Sequence, residues 1–521
     1  MKGACAVKRD KTETQNQKQN DKQQENQTPP RPLIPSVDKS VDFIKESLGN
    51  SSDLVVRRFM INKSPCAVLY IDGMVNKETI QNFIMEALML EMPPKRASVR
   101  RLYEMIKDAS LPIGELSELD NYEDLFKRLL SGETIFLLDR EEKSLAASTR
   151  GWRDRGVQET TSESVIRGPK EAFTETLRTN TSLLRRKIKD SKLRIDAKSI
   201  GKMTNTDVAV VYLEGTAQDS VVKEVHKRLD QIDIDSILES GYLEEYIQDA
   251  QYSPFPTVYY SEKPDAIAAG ILEGRVAIIT DGTPDVLLCP ALFVNFFHSS
   301  EDYYQRADIG TLIRILRLIC FNIALFMPSL YIAFTTFHPE MIPSQLLVSL
   351  AAQREGVPFP AFVEALIMEL TFEILREAGV RLPKPVGSAV SIVGALVLGN
   401  SAVQAGLVSP AMVIVVAITA ISSFVVPSYN MAIPIRIIRF IFMVLGATFG
   451  LFGIILGLIA MVFHLTSLKS FGVPYMSPFA PFVPKDQKDV LLRLPHWGLF
   501  SRPSSFVKEN EKRTSPSSKE N

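Results

Sequence analysis

Histidine and cysteine are scarce in this chain, five and four among 521 residues, and neither clusters. Cys5, Cys66, Cys289 and Cys320 lack the short, regular intervals of a zinc site or a disulfide framework, which points to a reducing compartment. There is no P-loop, no G-x-S-x-G elbow and no His or Cys group at metal spacing, so the reading is of a protein that is not an enzyme and uses no cofactor or metal. A surplus of charge is missing as well. Lys plus Arg number 59 and Asp plus Glu 60, a balance that argues against nucleic-acid binding, which needs a basic surface. The N-terminus has no apolar secretory core; Lys8 to Gln27 is a run of Lys, Gln, Asn, Asp and Glu that cannot bury enough surface to offset its ordering entropy.

The most telling absence is local. Pro385 to Ile435 and Phe440 to Leu468 contain no Asp, Glu, Lys or Arg. Apolar stretches of 18 residues or more can cross a bilayer, so a purely soluble protein is excluded. Leu312–Phe337, Val386–Val408, Ala411–Val426 and Ile437–Phe463 are the candidate spans. Arg314 and Arg317 at the start of the first place the large N-terminal region on the cytoplasmic side. Four crossings return the C-terminus there too, but leave Arg381, Lys384, Arg436 and Arg439 outside. A fifth crossing over Pro358–Gly379 cures those loops and expels the basic tail. A re-entrant or interfacial Pro358–Gly379 is the compromise adopted.

Ahead of the spans the expected fold is α/β. Cys66-Ala-Val-Leu-Tyr-Ile-Asp-Gly reads as a buried strand ending at a glycine turn, followed by helical spacing over Asn76–Leu90. Val208-Ala-Val-Val-Tyr-Leu-Glu-Gly repeats the pattern 142 places later, with a helix from Gln218. Two related α/β subdomains followed by an all-α polytopic membrane domain are therefore predicted. Between the subdomains, Arg167-Gly-Pro predicts the start of a charge-rich helical linker. Arg275–Thr280 and Asp285–Cys289 flank Asp281-Gly-Thr-Pro as a β-hairpin, either coupling to the bilayer or completing the second sheet. The expected divisions are a disordered tail (1–40), a first subdomain (41–160), a linker (161–200), a second subdomain (201–300), a membrane domain of about four to five spans (301–468) and a cytoplasmic tail (469–521).

Within the membrane half, Glu364, Glu369, Glu373 and Glu377 punctuate an apolar segment, the last three on one helix face. They attract or gate cations, or they sit in water or pair with Arg376 and Arg381 on a surface helix. The small residues Ser388, Ser391, Ala395, Gly399, Ala402 and Gly406 form a stripe suited to close helix packing, as do Gly446, Gly450, Gly453 and Gly457. Beside the first stripe run Val386, Val390, Val393 and Val397, followed by Asn400, Ser401 and Gln404. In a symmetric ring these make an apolar collar above a wet vestibule; alternatively the valines face lipid and the amides bond to neighbouring helices.

Several segments together resemble the A-subunit family of bacterial spore germinant receptors, the GerA-type proteins. They are Arg167-Gly-Pro-Lys-Glu-Ala-Phe-Thr-Glu with Asn180 and Arg185-Arg186; Gly274-Arg-Val-Ala-Ile-Ile-Thr-Asp-Gly-Thr-Pro; Pro358-Phe-Pro with Glu364, Glu369, Arg376-Glu377-Ala-Gly and Arg381-Leu-Pro; Gly387 to Gly399; Pro427-Ser-Tyr; Phe471-Gly-Val-Pro-Tyr; and Asp489 with Arg493, Pro495, Trp497 and Arg502-Pro503. Ala172 stands where many members have Gly. The resemblance implies a subunit in the spore inner membrane, assembled with a transporter-like B subunit and a lipoprotein C subunit. It further implies a homo-oligomeric ring that conducts cations when nutrient binds, mainly at the B subunit. Val390, Val393 and Val397 are then the collar, and Asn400 and Gln404 the polar lining. A non-conducting scaffold is the competing reading, and a secondary transporter a third.

Overall fold

The computed structural model describes residues 31–61, 64–81, 103–104, 116–151, 163, 165–381, 399–490, 492–508 and 512–513. The chain divides into two compact units, Met1–Val157 with Thr176–Ala197, and Gln158–Glu175 with Lys198–Asn521.

In the first unit, α1 (Val37–Ser47) precedes β1 (Leu54–Ile61) and β2 (Ser64–Ile71). Then come β3 (Leu116–Leu119), α2 (Tyr122–Leu129), β4 (Thr134–Leu138), β5 (Ser144–Ala147) and α3 (Leu177–Lys187). The five strands form one sheet in the order β1-β2-β4-β5-β3. β2 reads as a continuous apolar run because both its faces are covered. Ala67, Leu69 and Ile71 pack with α1 and α2, whereas Cys66, Val68 and Tyr70 pack with Val75, Ile80 and Tyr103. The guanidinium of Arg185, on α3, is fully buried and donates to both carboxylate oxygens of Asp53 at 2.7 and 3.1 Å and to Ser51 Oγ at 2.9 Å.

A second sheet, β6 (Leu193–Ile200), β7 (Thr206–Leu213), β9 (Val276–Thr280), β10 (Val286–Cys289) and β8 (Tyr259–Ser261), has the same order as the first. Its helices are α4 (Asp219–Asp230), α5 (Ser240–Ile247) and α6 (Pro264–Leu272). Adding 142 to the bounds of β2, β4 and β5 gives those of β7, β9 and β10. The duplication seen in two strands thus extends through the sheet. Gly73 and Gly215, also 142 apart, both sit at positive φ, where a side chain is strained; at Gly73 a Cβ would also lie 2.9 Å from the Arg178 carbonyl oxygen. The expected hairpin is β9–β10, and it completes the second sheet.

Two local expectations are corrected. Residues 165–176 are not helical, Gly168 has φ +135°, and the helix begins only at Leu177; the stretch from Leu193 onward is a strand, not linker. The segment expected as a tail is folded: Phe471, Val473, Val490, Phe506 and Val507 belong to the same core as Val210, Val225 and Ile278.

The helical part of the second unit starts with α7 (Ala307–Thr336), followed by α8 (Ser344–Arg354), α9 (Ala361–Arg381), α10 (Pro410–Val425) and α11 (Tyr429–Ser467). By length and composition α7 and α11 are each able to cross a membrane, and α10 is a shorter apolar helix. The root of α7 packs on the sheet module through Phe293, Phe296, Phe297 and Phe321, together with Ile435 and Leu465.

The span expected over Ile437–Phe463 is not one helix. Gly450 has φ 60° and ψ −142°, a conformation open essentially to glycine alone. A Cβ on Gly453 would lie 2.5 Å from the Leu445 carbonyl, and one on Gly457 2.7 Å from the Leu445 side chain and 2.8 Å from the Phe442 ring. In a continuous helix residues 442 and 457 are about 22 Å apart. α11 is therefore a hairpin, 429–449 and 451–467, turning at Gly450. The spacing of Gly446, Gly450, Gly453 and Gly457 serves this fold: Gly446 lies against Ser329 on α7, Gly450 makes the turn, and the other two let the arms touch.

The contacts also give directions. Arg439 touches Ala324, Gly446 touches Ser329 and Gly450 touches Phe337, so the first arm runs alongside α7 in the same sense. The second arm returns until His464 Nε2 meets Ser253 Oγ at 2.8 Å beside the sheet module. α9 and α10 run oppositely to α7: Ala361, Ala365 and Met412 pack near Ile332, whereas Phe424 faces Phe372 further along α9. The chain leaves the second subdomain and comes back to it.

Candidate functional site

Two positive charges at the start of an apolar helix need partners if they are buried, because an unpaired buried charge is costly. Arg314 and Arg317 are buried on the first turns of α7. Asp302, 1% exposed, accepts from Arg314 Nε at 3.2 Å and from an Arg317 terminal nitrogen at 2.7 Å. Arg314 also donates to the Asp489 carboxylate at 2.9 Å and its backbone carbonyl at 2.8 Å, and Arg317 to the Phe297 carbonyl at 3.0 Å. Tyr303 Oη donates to Asp489 at 2.9 Å, and its ring lies 5.2 Å from the Arg314 guanidinium. Arg493 completes the cluster by donating to the carbonyls of Gln305 and Tyr303. Burial pushes the Asp489 carboxyl up against the opposing pull of Arg314, and burial drives His298 well below the usual imidazole range, keeping it neutral at pH 7. Three chain segments, the short helical turns at 293–303, the root of α7 and the 489–493 stretch, are thus held in one clamp.

Deeper along the bundle lie the four glutamates of α9. Glu364 is fully buried and accepts from Ser409 N at 3.0 Å, Ser409 Oγ at 2.9 Å and Arg354 Nε at 3.3 Å, tying α9 to the N-cap of α10. Glu369 pairs with Arg439 at 2.6 Å, both fully buried. Pro328 explains the other bond of Arg439. Lacking an N–H, it leaves the carbonyl four residues back, Ala324, without its helical partner, and Arg439 Nε supplies one at 2.7 Å. Glu373 pairs with Arg436 and Arg376, each at 3.3 Å, and the exposed Glu377 with Arg381 at 2.6 Å. Each carboxylate is matched by at least one guanidinium, so its field on a passing cation is largely spent locally.

Val390, Val393 and Val397, with Ser391 and Ala395, lie outside the described residues, as do Val386 and Ser388. Residues 399–404 are helical; Asn400 and Gln404 are exposed, whereas Gly399 is buried beside Val413. Gly406 has φ +63° after that helix, so it closes the helix where the small-residue stripe was extended through it. Sequence reasoning missed Asp302 and Tyr303 altogether, and gave Arg314 and Arg317 only a topological meaning. The available signal was two arginines one helical turn apart at an apolar helix start, preceded by an Asp.

The family described as Bacillus/Clostridium GerA spore germination protein matches residues 42–505. Spore germination protein KA of Bacillus subtilis (strain 168) is 50% identical over 490 residues, 93% of this chain and 89% of that protein. Spore germination protein GerLA of Bacillus cereus is 40% identical over 462 residues, 88% of this chain and 93% of its own. A crystal structure of the N-terminal domain of the A subunit of the Bacillus megaterium spore germinant receptor GerK3 is 38% identical, covering 51% of this chain and 99% of that one with a TM-score of 0.41. The family match runs through both α/β subdomains, the apolar helices and the clamp residues, and the chain belongs to the GerA spore germination protein family.

Proposed function

We propose that the chain is the A subunit of a nutrient germinant receptor in the spore inner membrane, and that copies of it form a ring conducting monovalent cations during germination. It works with a transporter-like B subunit and a lipoprotein C subunit, where nutrient binding shifts the ring toward an open arrangement. The observation carrying this reading is the clamp. Asp302 and Asp489 fix the root of α7 to the second α/β subdomain, so a displacement of that subdomain moves a membrane helix. The exposed amides Asn400 and Gln404 support a wet lining contributed by the segment after Gly399, with Val390, Val393 and Val397 as the collar. Basic residues support a cytoplasmic α/β region: the 337–360 connection at the far end of α7 carries Arg354 alone among Lys and Arg, whereas the sheet side carries many.

Potassium efflux from dormant spores carrying Val397→Ala, without nutrient, tests the reading against wild type and against Ile421→Ala on an exposed face of α10. Spontaneous efflux at normal protein level, reproduced by the purified variant in liposomes, is the expected result. Efflux in spores without flux in liposomes favours the non-conducting scaffold, and no efflux with a normal nutrient response removes Val397 from the gate. Substrate-coupled uptake in the liposomes identifies a secondary transporter.

A further inference from the structure

Beside the clamp lies a cavity of about 410 Å³, within the size range of small-molecule sites. Its walls come from α6, the 292–304 segment and the folded C-terminal stretch, and include the apolar side chains of Leu288, Leu292, Val490 and Phe506. Four carboxylates line it. Glu273 is occupied by Arg275 and Arg513, and Asp489 by Arg314 and Tyr303. Asp265 and Asp486 each keep one oxygen open. Asp265 Oδ2 accepts from Tyr304 Oη and lies 3.8 Å from Nζ of the buried Lys263, while its buried Oδ1 has no hydrogen-bond partner. Asp486 Oδ2 accepts from Ser504 N at 2.9 Å and Oγ at 2.6 Å, and its buried Oδ1 likewise has none. The Asp265 side chain is only 7% exposed. One donor is also unmatched, Nε of the buried Arg275, whose guanidinium lies 4.9 Å from the Phe506 ring.

An apolar chamber with two open, desolvated carboxylate oxygens and a single open N–H is matched to a cation rather than an anion. We propose that this cavity binds a small primary amine, an ammonium group on an apolar body, with Asp265 and Asp486 receiving the ammonium and the aliphatic and aromatic walls the remainder. Arg275 Nε adds preference for an amine that also carries an acceptor oxygen. Tyr303 and Asp489 belong to the same wall, so an occupied cavity braces the residues that hold Arg314.

The test uses the purified full chain in detergent, with benzylammonium as probe and benzyl alcohol as its uncharged counterpart, followed by ligand-observed NMR and thermal unfolding. Saturable binding of benzylammonium is expected, at least tenfold tighter than the alcohol and weakened at least tenfold by Asp265→Asn or Asp486→Asn. Asn retains an acceptor for Tyr304 or Ser504, and the two variants lie on different segments, so a folding defect in one leaves the other informative. Absence of saturable binding, equal binding of amine and alcohol, or amine binding unchanged in both variants overturns the proposal. None of these readouts depends on ion conduction.

Discussion

Asp302 is a single carboxylate serving two buried guanidiniums. Removing it by Asp302→Ala leaves Arg314 and Arg317 short of a counter-charge, a change that costs on the order of 3–5 kcal/mol for a buried pair. Asp308→Ala removes an exposed partner of Arg306 and of the Ile309 N–H, and should cost far less. Thermal unfolding of both variants in detergent checks the contrast; equal losses would show that the clamp is solvated. Glu244 gives a pH signature. Burial, with help from Glu239 and Asp285, pushes its carboxyl up to about 7 from the ordinary 4.5. The folded chain therefore holds a proton that the unfolded chain releases between those values. The stability it contributes is complete below about pH 4.5 and lost as pH rises through about 7. Glu244→Gln should remove that decline, seen as a smaller drop in unfolding midpoint from pH 5 to pH 8 than in the wild type.

At the scale of elements, the turn at Gly450 is the most exacting feature of the helical part. A Cβ there would stand 3.0 Å from Phe337 Cβ and 2.9 Å from His338 Nε2, besides forcing a conformation that L residues avoid. Gly450→Ala should cost on the order of 1–3 kcal/mol and lower the yield of folded protein. The pair Phe442→Cys with Gly457→Cys should form an intramolecular disulfide on mild oxidation, detected as a mobility shift under non-reducing electrophoresis. A straight helix would hold those positions about 22 Å apart and give none. Strand elements, by contrast, were legible beforehand. A run such as Val208–Leu213 has no helical period and ends at a glycine. The helix predicted from Arg167 begins only at Leu177; ahead of it the Phe173 N–H bonds to the distant Glu262 carbonyl at 2.8 Å and not within a helix, a choice that lies in the backbone path and not in residue spacing.

For the whole molecule, the hairpin bears on the conflict over crossings. With α9 running back toward the sheet module and α11 going out and returning, the C-terminal stretch packs on the second subdomain, which supports the proposal that both lie on one side of a bilayer. Arg354 is paired with Glu364 at the far end. In a Cys5→Ser background, where Cys66, Cys289 and Cys320 are buried, Glu340→Cys should react with an impermeant maleimide added outside right-side-out vesicles. Lys485→Cys should react only after the membrane is opened. Labelling of both from one side would overturn the arrangement.

The residues alone established the repeated α/β unit, the apolar helices and the family, because burial patterns of period 2 or 3.6 and local turn residues are written directly in the chain. They also located Arg314 and Arg317, but as charges without partners, and the four glutamates, with Arg376 and Arg381 as the two partners offered for them. Which aspartate meets which arginine, why Arg439 fills the carbonyl bond that Pro328 leaves open, and that one apolar run folds back at Gly450 were decided only in three dimensions. Those contacts join positions up to 175 residues apart, as between Arg314 and Asp489, and no spacing rule reaches that far. Partner choice for a buried charge is set by what packing brings within about 3 Å, and packing is a property of the assembled fold.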